Sequence, residues 1–208
     1  MPLAKKITPL LSEQDYLDGE LISEIKHEYI GGVVYAMAGA SKNHNLILVN
    51  ISRKIGNALE NVKSPCKVFV ESMKVRISAQ NTSYFYPDVM VACDTSQDDS
   101  EYYTNSPIII AEVLSESTRK TDFTTKKQAY FNIPTLQEYV IIEQKVCQIT
   151  VFRKNTDWQP LFYFLGDSVT FDSIGATVAV EDIYYQVENE EMVNFFKIKQ
   201  QPEPNTGL

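Results

Sequence analysis

The chain has 208 residues, 44% of them hydrophobic and 22% charged, proportions that suit a globular domain with a real core and exclude a disordered or fibrous chain. Its 19 basic and 27 acidic residues leave a formal charge of −8, which argues against high-affinity, sequence-independent binding of a polyanion while leaving a local positive site open. No apolar run approaches bilayer length, and the opening MPLAKKITPLL lacks the extended apolar core and cleavage site of a signal peptide, so a cytoplasmic protein with no membrane partner is expected.

Three cysteines, Cys66, Cys93 and Cys147, are odd in number and far apart. They read as reduced, mostly buried thiols rather than a disulfide framework or a zinc set. Two histidines, His27 and His44, disfavour a site built on an imidazole cluster.

Residues 12–18 (SEQDYLD) predict a short helix, with Ser12 as its N-cap. HEYIGGVVYAM (27–37) holds two β-rich runs about Gly31-Gly32, a hairpin signal. Between Ser41 and Asn61, Leu46, Ile47, Val49, Ile51, Ile55, Ala58 and Leu59 recur at helical spacing, with Ser41 or Asn43 available as cap. CKVFVESMKVRI (66–77) alternates as one strand, with Phe69, Met73, Val75 and Ile77 on one face and Ser72, Lys74 and Arg76 on the other. YFYPDVMVAC (84–93) and PIIIAEVLS (107–115) are apolar runs of the kind buried on both faces of a central sheet, separated by a polar, acidic loop. A helix is expected over about 122–132, closed by Pro134. A meander of short strands follows to ATVAV, and 200–208 (QQPEPNTGL) has the composition of a disordered tail. With no repeat, linker or composition shift, residues 1–199 read as one α/β or α+β domain. Asn81-Thr82-Ser83 fits a glycosylation acceptor, without significance in the absence of a secretory signal.

The informative feature is a pair of acids inside the most hydrophobic runs. Successive strand residues point to opposite faces, so Asp88 shares a face with Tyr86 and Met90, and Glu112 shares one with Ile108, Ile110 and Leu114. An unpaired ionised carboxylate costs several kcal/mol to bury, so each needs a cation, hydrogen bonds or a raised pKa. If the strands are neighbours, the two acids could converge on one divalent ion of the hard, oxygen-preferring kind such as Mg²⁺. Equally, each could end its strand and reach solvent or an arginine.

YPDVMV and AEVLSEST, followed by DFTTKKQAY and LQEYVII, together with KHEYIGGVVYAMAGASKNHN and CKVFVESMKVRI, resemble the Uma-two family of restriction endonucleases, part of the PD-(D/E)xK nuclease superfamily. The resemblance runs over roughly residues 12–185. It implies a restriction-endonuclease-like core, a mixed sheet with flanking helices and a C-terminal strand meander. It also implies Mg²⁺-dependent (or Mn²⁺-dependent) hydrolysis of phosphodiester bonds in DNA, centred on Asp88, Glu112 and Lys126, with Asp88, Glu112 and Glu28 as metal ligands. Leu114 stands where the superfamily's lysine usually lies, and the D-x-x-x-K-x-x-x-Y pattern of Asp122, Lys126 and Tyr130 supplies one from a helix instead, with Lys120 and Lys127 as rivals. His44, Lys74, Arg76 and Tyr130 are further candidates, Lys74 and Arg76 as phosphate contacts. Ser72 departs from the family, where an Asp is expected. A homodimer would suit cleavage of both strands of a duplex. The rival readings are a non-catalytic nucleic-acid- or protein-binding module on the same fold, and a metal-dependent hydrolase acting on another substrate. No phosphate-binding G-x-x-x-x-G-K-[ST] loop, G-x-S-x-G elbow or H-E-x-x-H helix is present.

Overall fold

A computed structural model of the chain describes residues 10–78, 82–93 and 100–199. The tail expected at 200–208, the start of the acidic loop after Cys93, and Asn81 lie outside these residues. Helix α1 (Glu13–Ile22) begins where Ser12 accepts the Asp15 N–H at 3.1 Å. Strands β1 (His27–Ile30) and β2 (Val33–Ala36) form the expected hairpin. Gly31 and Gly32 turn it with φ of 55° and 94°, values open to glycine without steric cost. A Cβ on Gly32 would also come within 2.7 Å of Leu10 Cβ. Helix α2 (Lys42–Asn61) is capped by Ser41, whose side chain accepts the His44 N–H, and it buries Ile47, Leu48, Ile51, Ile55 and Leu59.

The run 66–77 does not form one strand. It splits into β3 (Lys67–Val70) and β4 (Lys74–Ile77), which belong to different sheets. Glu71, at φ 50°, takes the left-handed conformation between them and breaks the alternation. The run 84–93 is interrupted in the same way, into β5 (Ser83–Phe85) and β6 (Val89–Ala92). Pro87, which has no backbone N–H to give a ladder, lies at that crossing.

One sheet therefore has the order β2-β1-β5-β4-β7, with β7 at Tyr103–Thr104. The other runs β11-β10-β9-β8-β6-β3, where β8 is Pro107–Val113, β9 is Glu138–Ile142, β10 is Ile149–Arg153 and β11 is Pro160–Tyr163. The β8·β9 pair is parallel and the other pairs of this sheet are antiparallel. The meander continues as the β12 (Ser168–Phe171) and β13 (Ala176–Ala179) hairpin. Helices α5 (Val180–Ile183) and α6 (Glu190–Lys199) close the described chain. This is a mixed α/β architecture, and no helix among the described residues is long and apolar enough to cross a membrane.

The inner strands of the six-stranded sheet, β6, β8, β9 and β10, are buried on both faces, which is why they read as apolar runs. On one face Val89, Val91, Ile109, Ala111, Val140, Ile149 and Val151 pack against α2. On the other, Met90, Ile110, Leu114, Tyr139, Ile141 and Phe152 pack with Val75, Ile77, Phe85 and Tyr130. The helical segment after β8 comprises a turn of α3 (Arg119–Thr121), a π-helical turn over Asp122–Lys126, and α4 (Lys127–Phe131).

The expectation of three free thiols is corrected. Cys66 and Cys93 are joined in a disulfide, and Cys147 alone is free and buried. The register Lys67↔Ala92 between β3 and β6 sets the two residues opposite each other one step further along, a juxtaposition that a separation of 27 residues does not announce.

Candidate active site

The two interruptions bring the two sheets apart at one place, and a cleft of ≈ 590 Å³ opens there. Asp88 enters it from the β5–β6 crossing, and Glu112 from near the end of β8. The register Val89↔Ala111 places them side by side, and the Asp88 N–H points to Glu112 Oε2 at 3.4 Å. Both lie on the sheet face that carries Met90, Ile110 and Leu114. Asp88 Oδ2 accepts the Val113 N–H at 2.6 Å and meets His44 Nε2 at 3.2 Å.

Lys126, from the π turn, reaches the same cleft. Its Nζ lies 2.8 Å from Glu28 Oε1, 3.3 Å from Glu112 Oε1 and 3.4 Å from Asp122 Oδ1. The spacing of four along the helical segment brings Asp122, Lys126 and Tyr130 to one side, and the Tyr130 hydroxyl donates to Glu112 Oε1 at 2.8 Å. A π turn at this place is in keeping with the habit of such turns to occur where a helix serves a site. Glu28 comes from β1. The rival lysines do not enter: Lys120 is exposed, and the Lys127 ammonium lies over the Phe131 and Phe152 rings.

Electrostatics follow from burial and crowding. Glu112 is 2% exposed, and that burial raises its pKa well above the ordinary carboxylate value. Lys126 opposes the shift, while Asp122, Asp88 and Glu28 add to it. Asp122 is shifted upward too, first by burial. Burial alone would lower the Lys126 pKa, but the charges of Glu112, Glu28 and Asp122 outweigh it and hold it above its ordinary value. Burial likewise works against a charged His44, and the hydrogen bond to Asp88 overcomes it, raising the pKa. The lysine keeps its proton, and Glu112 resists losing its own.

Lys74 and Arg76, the candidate phosphate contacts, are not among the residues that line the cleft. The break at Glu71 commits β4 to the five-stranded sheet, where α1 supplies the partner of Arg76 and Tyr86 that of Lys74. Arg76 Nε donates to Glu13 Oε1 at 2.9 Å. Buried Lys74 donates to the Tyr86 hydroxyl at 3.3 Å, which in turn donates to Glu20.

Glu71 lines the cleft as well, next to the Ser72 that stands where an acid was expected. Its one signal in the sequence was an acid interrupting the alternation of 66–77. His44, Glu71 and Asp88 each bring a ligand atom within 4.8 Å of the others.

The Uma2 family model ("Putative restriction endonuclease") matches residues 14–181. The Synechocystis sp. (strain ATCC 27184 / PCC 6803 / Kazusa) protein slr1290, itself uncharacterised, is 36% identical over 178 residues, covering 85% of this chain and 92% of its own. A second uncharacterised protein of that organism, sll1609, is 38% identical over 154 residues, covering 73% and 85%. Among solved structures, a chain described as a putative nuclease belonging to DUF820 from Anabaena variabilis ATCC 29413 shares the fold, with a TM-score of 0.64 at 16% identity over 78% of this chain and 91% of that one. The chain belongs to the Uma2 family.

Proposed function

We propose that the protein is a metal-dependent endonuclease that hydrolyses phosphodiester bonds in DNA. The observation that carries the reading is the buried Lys126 ammonium held among three carboxylates, in the cleft that also receives Asp88. Stability alone does not call for such a group, since an apolar cluster of the same volume is often as stable or more so.

The donor set fits a hard divalent ion. Asp88 and Glu112 would hold Mg²⁺ or Mn²⁺, with Glu28 nearby. When bound, such an ion acidifies water and offsets charge on phosphate oxygens. Lys126, kept protonated by its neighbours, is unsuited to take a proton. It instead donates hydrogen bonds that orient the attacking water and meet phosphate charge. Tyr130 holds Glu112 Oε1 and so turns the other oxygen, Oε2, toward Asp88. A cytoplasmic location and a two-fold dimer addressing both strands suit this reading.

Purified protein should nick or cut DNA with Mg²⁺ or Mn²⁺ and stop when EDTA is added. If neither DNA nor RNA is cut with either ion, the reading fails. The charge of −8 favours one rival, a non-catalytic binding module on the same fold, which becomes the account if nucleic acid is bound and never cut.

A further inference from the structure

Lys126 is drawn to Glu28, Glu112 and Asp122, which leaves the acids at the other end of the cleft without a lysine. There Asp88 Oδ2 faces His44 Nε2 at 3.2 Å, and Glu71 completes a triangle whose ligand atoms all lie within 4.8 Å of one another. His44 has only 9% of its side chain exposed, and its Nδ1 finds no hydrogen-bond partner among the described residues. Lys26 gives its ammonium to the Glu71 carbonyl at 3.1 Å and to Ser72 Oγ at 3.5 Å, not to the carboxylate. A histidine paired with an aspartate needs no second acid beside it, so Glu71 has no account in a simple His44–Asp88 hydrogen bond.

We propose that His44 Nε2, Glu71 and Asp88 form a divalent-cation site of mixed nitrogen and oxygen donors, one that takes Mn²⁺ and similar transition ions in preference to Mg²⁺. This rests on the reading of Asp88 as a metal carboxylate and deepens it. Bonds of about 2.0–2.2 Å to one ion set two ligand atoms at most roughly 4.4 Å apart, so small side-chain rotations close the triangle. Mg²⁺ favours an all-oxygen shell and sheds water reluctantly, whereas imidazole suits the later first-row ions. The left-handed turn at Glu71, tied to Asp88 by a backbone hydrogen bond of 3.1 Å, is what carries the second acid to the site.

The test uses the full chain, stripped with a chelator and titrated with Mn²⁺ under electron paramagnetic resonance, with pulsed measurement of nitrogen hyperfine coupling and with Mg²⁺ as competitor. Bound Mn²⁺ should show nitrogen coupling, lost in His44→Gln and kept in Glu112→Gln. Glu71→Gln, at a half-buried turn and nearly isosteric, should melt like the wild type yet bind Mn²⁺ about ten-fold or more weaker. Mg²⁺ should displace Mn²⁺ only in large excess. Absence of nitrogen coupling in the wild type, or wild-type affinity in Glu71→Gln, overturns the site. The nuclease reading is judged separately. A protein that binds Mn²⁺ through nitrogen but cuts nothing keeps this site and loses that reading, while one that cuts with Mg²⁺ and shows no nitrogen coupling loses this site alone.

Discussion

The backbone N–H of Glu71 donates to the carbonyl of Asp88 across 3.1 Å, joining the two points at which the chain leaves one sheet for the other. Each crossing ends the pleat, so the side chains beside it are free of the alternation that would bury them. Glu71 and Asp88 reach the cleft from this pair of broken strands.

Glu112→Gln should abolish cleavage while the fold persists, since volume is kept and only the charge is removed. It should also stabilise the metal-free protein. With the folded pKa of Glu112 raised above the ordinary 4.5, the wild type has its full stability below that value and loses part of it as pH rises through the raised one. The glutamine has no such loss. The difference in melting temperature in EDTA should therefore widen from acid to neutral pH, and a constant difference would contradict the raised pKa.

Lys126→Ala should lose cleavage and retain metal binding. It strands three carboxylates, so the metal-free protein at neutral pH should be destabilised by about 3–5 kcal/mol, the usual result of breaking a buried pair from one side. The deficit should shrink in acid, where the carboxylates protonate. Urea denaturation against pH measures it, and an unchanged midpoint would show that the ammonium is not held as described.

Tyr130→Phe removes the 2.8 Å donor to Glu112 Oε1 and nothing else of size. A destabilisation of about 1–3 kcal/mol is expected, together with a smaller loss of activity than Lys126→Ala causes. Cleavage as poor as that of Glu112→Gln would give the hydroxyl a direct part in the reaction.

Arg76→Ala should leave DNA cleavage and the salt dependence of DNA binding unchanged, because the guanidinium belongs to Glu13. If the slope of log affinity against log salt falls by about one, Arg76 is a phosphate contact after all and α1 must move away from it.

Local pattern made much of the protein legible. The Ser12 and Ser41 caps, the Gly31-Gly32 turn, the amphipathic α2, the face Asp88 shares with Met90 and the one Glu112 shares with Ile110 all depend on neighbours a few residues apart, where helical and pleated periods are visible in the chain itself. The spacing of Asp122, Lys126 and Tyr130 is local too, but it was the family resemblance that singled it out. The splitting of 66–77 and 84–93 was not, because an alternating run looks the same whether it stays in one sheet or crosses to another. That choice is made by packing: by α1 meeting Arg76 and Tyr84 on one sheet, and by α2 meeting Val89 and Val91 on the other. Glu71 joining Asp88, Cys66 joining Cys93, and one ammonium gathering Glu28, Glu112 and Asp122 each require residues far apart in the chain to be pressed together. The sequence by itself determined the apolar faces of α2, β6 and β8 and that Asp88 and Glu112 need partners; only the tertiary structure decided who the partners are, because pairing energies fall off over a few ångströms and depend on where distant segments pack.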